Sequence, residues 1–149
     1  MKHTQKAISM VLALALALTC WGMPRRTAAA TQPNEGIMPC YNNAESFYSN
    51  LTIDADGNAT LILSGKGTSS GTVFYISSYL EQERSGHWVR VSNGEPNSTW
   101  EDVQQGVSCF VTHSVYVGRD TDCRAVITLT ITGNGATDTD TITVYANFY

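Results

Sequence analysis

The sequence predicts an all-β sandwich of about seven antiparallel strands, and three observations carry the prediction. Between Thr31 and Tyr149 stand 15 threonines and 12 serines but only three prolines. Thr, Val, Ile and Tyr favour pleated strands, because branched and aromatic side chains pack well there and lose rotamer freedom in helices. The apolar residues recur with period two, and no window shows helical spacing. Short runs are separated by Gly, Asn, Asp and Ser at the intervals of a sandwich.

Taken in order, the runs place strands at Ser46–Asp54, Asn58–Gly65, Thr72–Glu83, His87–Ser92, Ser108–Val117, Cys123–Gly133 and Thr139–Phe148. Asp56-Gly57 and Ser85-Gly86 supply the positive φ that tight hairpins require, and Gly133-Asn134-Gly135 supplies it for the last one. Alternation then assigns faces. Cys123, Ala125, Ile127, Leu129 and Ile131 share one side, and Ile142, Val144, Ala146 and Phe148 share a side of the final run. With Leu61, Leu63, Ile76, Leu80, Val111, Val115 and Val117 they make one core. A domain of this size buries about two-thirds of its unfolded surface, which needs no metal or disulfide framework.

The first thirty residues are of another kind. Lys2 and Lys6 precede an apolar run from Ala7 to Leu18, and Ala28 and Ala30 fit an A-x-A cleavage site. This is the pattern of a secretory signal peptide over 1–30, followed by a lead segment over 31–45 and the sandwich over 46–149. The run is too short for a transmembrane helix, which needs about 20 apolar residues. Lipidation at Cys20 is disfavoured, because Leu18 and Thr19 stand where small residues should precede it. The expected localisation is extracellular, with no membrane insertion after cleavage.

The charge follows the same division. The whole chain carries −4, but Lys2, Lys6, Arg25 and Arg26 leave with the leader and no acidic residue precedes Glu35. Five basic residues then face thirteen acidic ones, a net charge of −8. One lysine, Lys66, remains. Neutralising phosphates needs a basic patch, so nucleic acid is excluded as a partner, and attachment to acidic lipids is disfavoured on the same ground.

Three stretches carry a resemblance: Asn50–Gly65 (NLTIDADGNATLILSG), Leu80–Val91 (LEQERSGHWVRV) and Val115–Thr130 (VYVGRDTDCRAVITLT). Together they resemble a family of small secreted proteins of Gram-positive anaerobes built around a domain of unknown function. That family has a strand, DG turn, strand opening and a charged hairpin ending in Trp. Its next strand turns through a short polar loop into the penultimate one. The resemblance implies export and an immunoglobulin or fibronectin type III-like sandwich, and it brings no catalytic residues. A tyrosine is usual where Cys123 stands, so the hydroxyl contact of a tyrosine corner is expected to be missing.

Three cysteines remain after the leader, an odd number that leaves at least one thiol or an intermolecular bridge. If strands alternate in direction, Cys109 and Cys123 open their strands at opposite ends. The eight steps from Cys109 to Val117 span about 27 Å at about 3.4 Å each, far beyond the reach of a disulfide. Cys40–Cys109 is therefore the favoured pairing, with all three reduced as the alternative.

Catalytic and metal signatures are weak. Asp54-Ala55-Asp56-Gly57-Asn58 begins like a calcium loop, but Ala59 and Gly65 stand where an EF-hand needs Gly and Glu, so it reads as a hairpin turn. The D-T-D pairs Asp120/Asp122 and Asp138/Asp140 read as charges that discourage edge pairing. His87 lies by a turn and His113 has inward parity. Neither has a nucleophile elbow or zinc-ligand spacing to help it. Glu101 and Asp102, if extended, point to opposite faces. Asn50, Asn58 and Asn97 open formal glycosylation sequons, which arise easily by chance in such a composition. No enzyme activity, cofactor or metal is expected.

The best candidate is a surface. The third, sixth and seventh runs should share a sheet, and if Ile76 and Leu80 face the core then Tyr75 and Tyr79 face solvent. Thr141, Thr143, Tyr145 and Tyr149 join them from the final run, with Val126, Thr128 and Thr130 between. Trp88 and Arg90 stand on the neighbouring hairpin strand. Such a Tyr/Thr face would bind a cell-surface glycan or protein, because rings stack on sugars and Tyr, Trp and Arg anchor interfaces. The alternative is a structural unit that self-associates through its C-terminal edge strand, where unpaired backbone groups invite another chain.

Overall fold

The structure is a computed structural model that describes residues 41–119 and 121–148. The expected leader over 1–30, most of the lead segment, Cys40, Asp120 and Tyr149 lie outside the described residues. Nine strands follow in chain order: β1 (Ala44–Ile53), β2 (Asn58–Gly67), β3 (Val73–Arg84), β4 (His87–Arg90), β5 (Trp100–Gln105), β6 (Ser108–Tyr116), β7 (Cys123–Gly133), β8 (Ala136–Tyr145) and β9 (Asn147–Phe148). A 3-10 turn, Pro96–Ser98, leads into β5. Among the described residues no helix is long and apolar enough to cross a membrane.

The strands form two sheets packed as a sandwich. The first has the order β6-β2-β1-β9 and the second β4-β3-β7-β8, with β5 also paired to β3. All pairings are antiparallel except β1 with β9. The order, in which strands three and seven form the middle of one sheet while one, two and six form the other, is that of an immunoglobulin-like sandwich. Period-two alternation drives it, since β1, β2, β3 and β7 each bury one face and leave the other toward solvent. Phe47, Leu51, Leu61, Leu63 and Val111 come from the first sheet, and Phe74, Ile76, Leu80, Ile127, Leu129, Ile131 and Val144 from the second. Val115 and Ile142 pack against this core half-buried.

Two features differ from the sequence reading. The stretch Trp100–Gln105 is a strand, β5, although its polar sequence shows no apolar alternation. The final run is also divided. Strand β8 starts earlier, at Ala136, and the chain bends at Ala146, whose N–H donates to the Cys123 carbonyl at 2.9 Å. Beyond that bend β9 changes sheets to pair with Thr52 and Ile53. The sandwich is thereby closed along one side by the same chain segment that began in the opposite sheet.

The turns behave as their residues require. Ser85-Gly86 (φ 54° and 82°) and Asn134-Gly135 (φ 39° and 80°) both take the left-handed pair of a type I′ hairpin. In the first hairpin the Asp54 carboxylate accepts from the N–H groups of Asp56 and Asn58, each at 2.9 Å. The backbone and side chain of Asn58 hold that carboxyl below its ordinary 3.8. The apparent calcium loop is thus a self-capped turn, in which the Asp54 oxygens are taken up by turn N–H groups and the Asn58 amide and Asp56 accepts from Arg119.

Gly57 has φ +90°, and a Cβ there would come within 2.7 Å of the Gly118 carbonyl carbon. Gly57→Ala is expected to lower stability by about 1–3 kcal/mol in urea denaturation. Ser78 is fully buried on β3, and among the described residues its hydroxyl has no hydrogen-bond partner. Ser78→Ala removes that unsatisfied group, and a rise of about 1 kcal/mol is expected in the same measurement.

Candidate functional site

The outer face of the second sheet is built by register. Tyr75 pairs with Thr130 and Tyr79 with Val126 across β3 and β7, and Arg124 pairs with Tyr145 across β7 and β8. Since Phe74, Ile76 and Leu80 are buried, the intervening Tyr75 and Tyr79 must lie on the outer side. The expected face therefore exists, with Tyr75 and Tyr145 46% and 44% exposed and Tyr79 and Trp88 half-buried. Thr128, Thr130 and Thr132 stand opposite Thr141, Thr139 and Thr137. The hydroxyls of Thr130 and Thr139 are 3.1 Å apart.

At the β4 end the rings and cations interlock. The Arg90 guanidinium lies 3.5 Å from the centroid of the Tyr79 ring, and that of Arg124 lies 4.4 Å from the Trp88 ring. Trp88 meets Tyr145 edge to face, with centroids 6.1 Å apart. Arg124 also donates from Nε to Glu81 Oε2 at 2.8 Å, with its Nη2 2.7 Å from the same oxygen. Hydrogen bonding to Glu81 is the largest influence on that guanidinium and raises its pKa; partial burial opposes this and Tyr145 adds to it. Arg90 is anchored by neutral groups, the Asn97 carbonyl at 3.2 Å and the Thr99 hydroxyl at 3.4 Å.

All five candidate residues, Tyr75, Tyr79, Trp88, Arg90 and Tyr145, thus share one face, but they do not form one cluster. Trp88 and Tyr145 meet Arg124 and Arg90 stacks on Tyr79, whereas Tyr75 stands apart on β3 beside Val103 of β5. Sequence reading missed Arg124 and Glu81, although both have the outward parity of their strands. It missed Val103 because β5 was not recognised.

A second polar group lies between the sheets. His113 has the inward parity expected of it, and its Nε2 lies 2.7 Å from Asp102 Oδ2. Trp100 stacks on the imidazole with centroids 4.5 Å apart and planes 2° from parallel. Glu101 points the other way, accepting from the Ser77 hydroxyl at 2.8 Å, as alternation requires. Among the described residues no serine, threonine or cysteine side chain hydrogen-bonds to His113. The group joins β5 to β6, and Gln104 strengthens the join by bonding both the N–H and the carbonyl of Phe110 at 2.9 and 2.8 Å.

The D-T-D pair of β8 also has a structural partner. Asp138 accepts from the N–H and side-chain amide of Asn42 at 2.9 and 3.0 Å, and Asp140 accepts from the Tyr41 hydroxyl at 3.2 Å. Burial, then the Asp140 charge, push the Tyr41 phenol up to about 12. Among the described residues no group of three or more His, Cys, Asp and Glu side chains is placed to hold a metal ion.

Among the described residues Cys109 and Cys123 are buried and form no disulfide, and Cys40, the partner expected for Cys109, lies outside the described residues. The Cys109 sulfur fits against Gly65, where a Cβ would approach it to 3.0 Å.

No family model matches the chain, and no curated protein matches it. A solved structure of a protein from Archaeoglobus fulgidus aligns with a TM-score of 0.34 and 13% identity, over 68% of this chain and 93% of its own.

Burial raises both described thiols from 9.0 to about 11. A thiol that ionises less readily when folded stabilises the fold fully below its unfolded pKa, and this contribution is lost as pH rises through the folded value. The urea midpoint is therefore expected to fall between pH 9 and 11, and the fall should be smaller in Cys123→Ala. At pH 8 both thiols should react with a disulfide reagent far more slowly than in the unfolded chain.

Proposed function

We propose that the protein is an exported, non-catalytic binding module that engages a cell-surface protein through the outer face of its second sheet. The observation that carries this reading is the interlocked group of Tyr79, Arg90, Trp88, Arg124 and Tyr145, rimmed by threonine hydroxyls. Tyr, Trp and Arg are the residues that dominate binding energy at protein interfaces, and here their rotamers are held before any partner arrives, which lowers the entropic cost of docking.

The geometry favours a protein over a glycan. A sugar stacks on an open ring face, and the rings of Tyr79 and Trp88 each have a guanidinium against them. Tyr75 and Tyr145 remain as exposed anchors on either side of the threonine ladder. Export is supported by the leader pattern over 1–30, and the charge of −8 after it opposes a nucleic-acid partner. Self-association through the C-terminal edge is less favoured, since the inward carboxylates of β8 are engaged by Tyr41 and Asn42 and the chain end turns into the other sheet.

The test is retention on an array of surface proteins beside an array of glycans. Alanine at Tyr75, Tyr79 and Tyr145 together should weaken protein retention at least about 30-fold, while far-UV circular dichroism stays unchanged. Unaltered retention would remove the face from consideration. Retention by glycans that the same substitutions abolish would keep the face and transfer it to a sugar partner.

A further inference from the structure

A groove of about 400 Å³ opens between β4 and the last residues of β6. Val89, Val91 and Tyr116 give it apolar walls, and Gln82, Arg84 and Arg90 line it with polar groups. Val89 and Tyr116 are among the exposed large apolar side chains of the molecule.

One rim of this groove is a free strand edge. β4 pairs with β3 alone. The two-residue turn Ser85-Gly86 makes Arg84 and His87 a hydrogen-bonded pair, so Gln82 and Val89 form the next such pair. The Val91 N–H donates to the Leu80 carbonyl at 2.9 Å and continues the pattern. The backbone N–H and carbonyl groups of Trp88 and Arg90 therefore face away from β3, and no backbone group of the described residues pairs with them.

Two cations border the same groove, Arg84 and Arg90. Of the five basic residues after the leader, Lys66, Arg119 and Arg124 are paired with Glu45, Asp56 and Glu81. Arg84 contacts Gln82 Oε1 at 2.8 Å, and Arg90 hydrogen-bonds to neutral oxygens and stacks on the Tyr79 ring. Among the described residues these two arginines have no carboxylate partner, and both border the groove.

We infer that the groove captures an extended, acidic peptide segment of a partner protein, which adds to β4 as a new edge strand. Backbone groups offered at every second residue are what an incoming strand uses. The valines and Tyr116 receive its apolar side chains, and Arg84 and Arg90 receive its carboxylates. A glycan would leave the β4 ladder unpaired, and a basic peptide would be repelled. In a chain this acidic, two uncompensated cations at one groove also steer an acidic segment to that groove and away from the rest of the surface.

The experiment uses ¹⁵N-labelled protein and two eight-residue probes, one alternating valine with glutamate and threonine, the other with lysine in place of glutamate. The acidic probe should shift the Trp88 and Arg90 amides and slow their hydrogen exchange, while the Val89 and Val91 amides, already bonded to β3, gain no protection. The lysine probe should leave all four unchanged. Arg84→Glu should raise the Kd of the acidic probe about tenfold, and Arg84→Gln should give a smaller rise should the charge reversal disturb folding. Tyr48→Ala, on the exposed side of β1 and outside both the groove and the outer face, should bind the probe as the parent does. No binding of the acidic probe, equal binding of the lysine probe, or protection at Val89 rather than Trp88 and Arg90 would overturn the proposal.

Discussion

The ladder between β3 and β7 is the constraint on which the rest of the molecule depends. It runs from Val73 opposite Thr132 to Gln82 opposite Cys123 without a register shift. Its inner side consists of Phe74, Ile76, Ser78 and Leu80 against Ile131, Leu129, Ile127 and Ala125, all at most 1% exposed. A slip of one residue would exchange these for Tyr75, Ser77, Tyr79 and the threonines of β7, placing hydroxyls in the core. Burial on one side therefore fixes the chemistry displayed on the other. The outer face follows from the packing of the inner one.

This coupling explains which parts of the molecule were legible in the sequence. Where apolar and polar residues alternate strictly, as in Cys123–Gly133, parity gives both the core and the exposed face. Tyr75, Tyr79 and Tyr145 could be assigned to solvent although Phe74-Tyr75-Ile76 is apolar on both sides. β5 was not legible because its sequence, WEDVQQ, buries only Trp100. It is held by side chains that act across the sandwich: the Asp102 carboxylate on His113, Trp100 stacked on the same ring, and the Gln104 amide imitating a strand backbone against Phe110. Such contacts join residues distant in chain position, and no local pattern marks them. The division of the last run at Ala146 is likewise imposed by the other sheet, where Thr52 and Ile53 accept β9.

The arginines show how a predominantly acidic domain uses its few cations. Lys66 and Arg119 form exposed pairs, of the kind that contribute little to stability. Arg124 is different, because Glu81, Trp88 and Tyr145 surround one guanidinium and it contacts three strands of one sheet. Its planar fork is suited to this, being able to stack and donate at once, as an ammonium is not. Arg90 repeats the stacking on Tyr79 without a carboxylate. Side chains that pack against each other in this way keep an exposed aromatic face ordered, and they prevent two large rings from presenting bare apolar surface.

The treatment of the sheet edges points the same way. The β8 edge carries the inward-pointing Asp138 and Asp140, a device that discourages edge-to-edge pairing, and Tyr41 and Asn42 occupy those carboxylates. The β6 edge is blocked at Phe110 by Gln104, and the end of β1 is covered by β9. β5 is tied to β6 through His113 and Asp102. β4 has none of these protections. It is short, which limits nonspecific pairing, yet it carries exposed Val89 beside an arginine pair and an open groove. Among the described residues β4 joins free backbone groups to an open groove and two arginines without a carboxylate partner, the combination that strand addition would use.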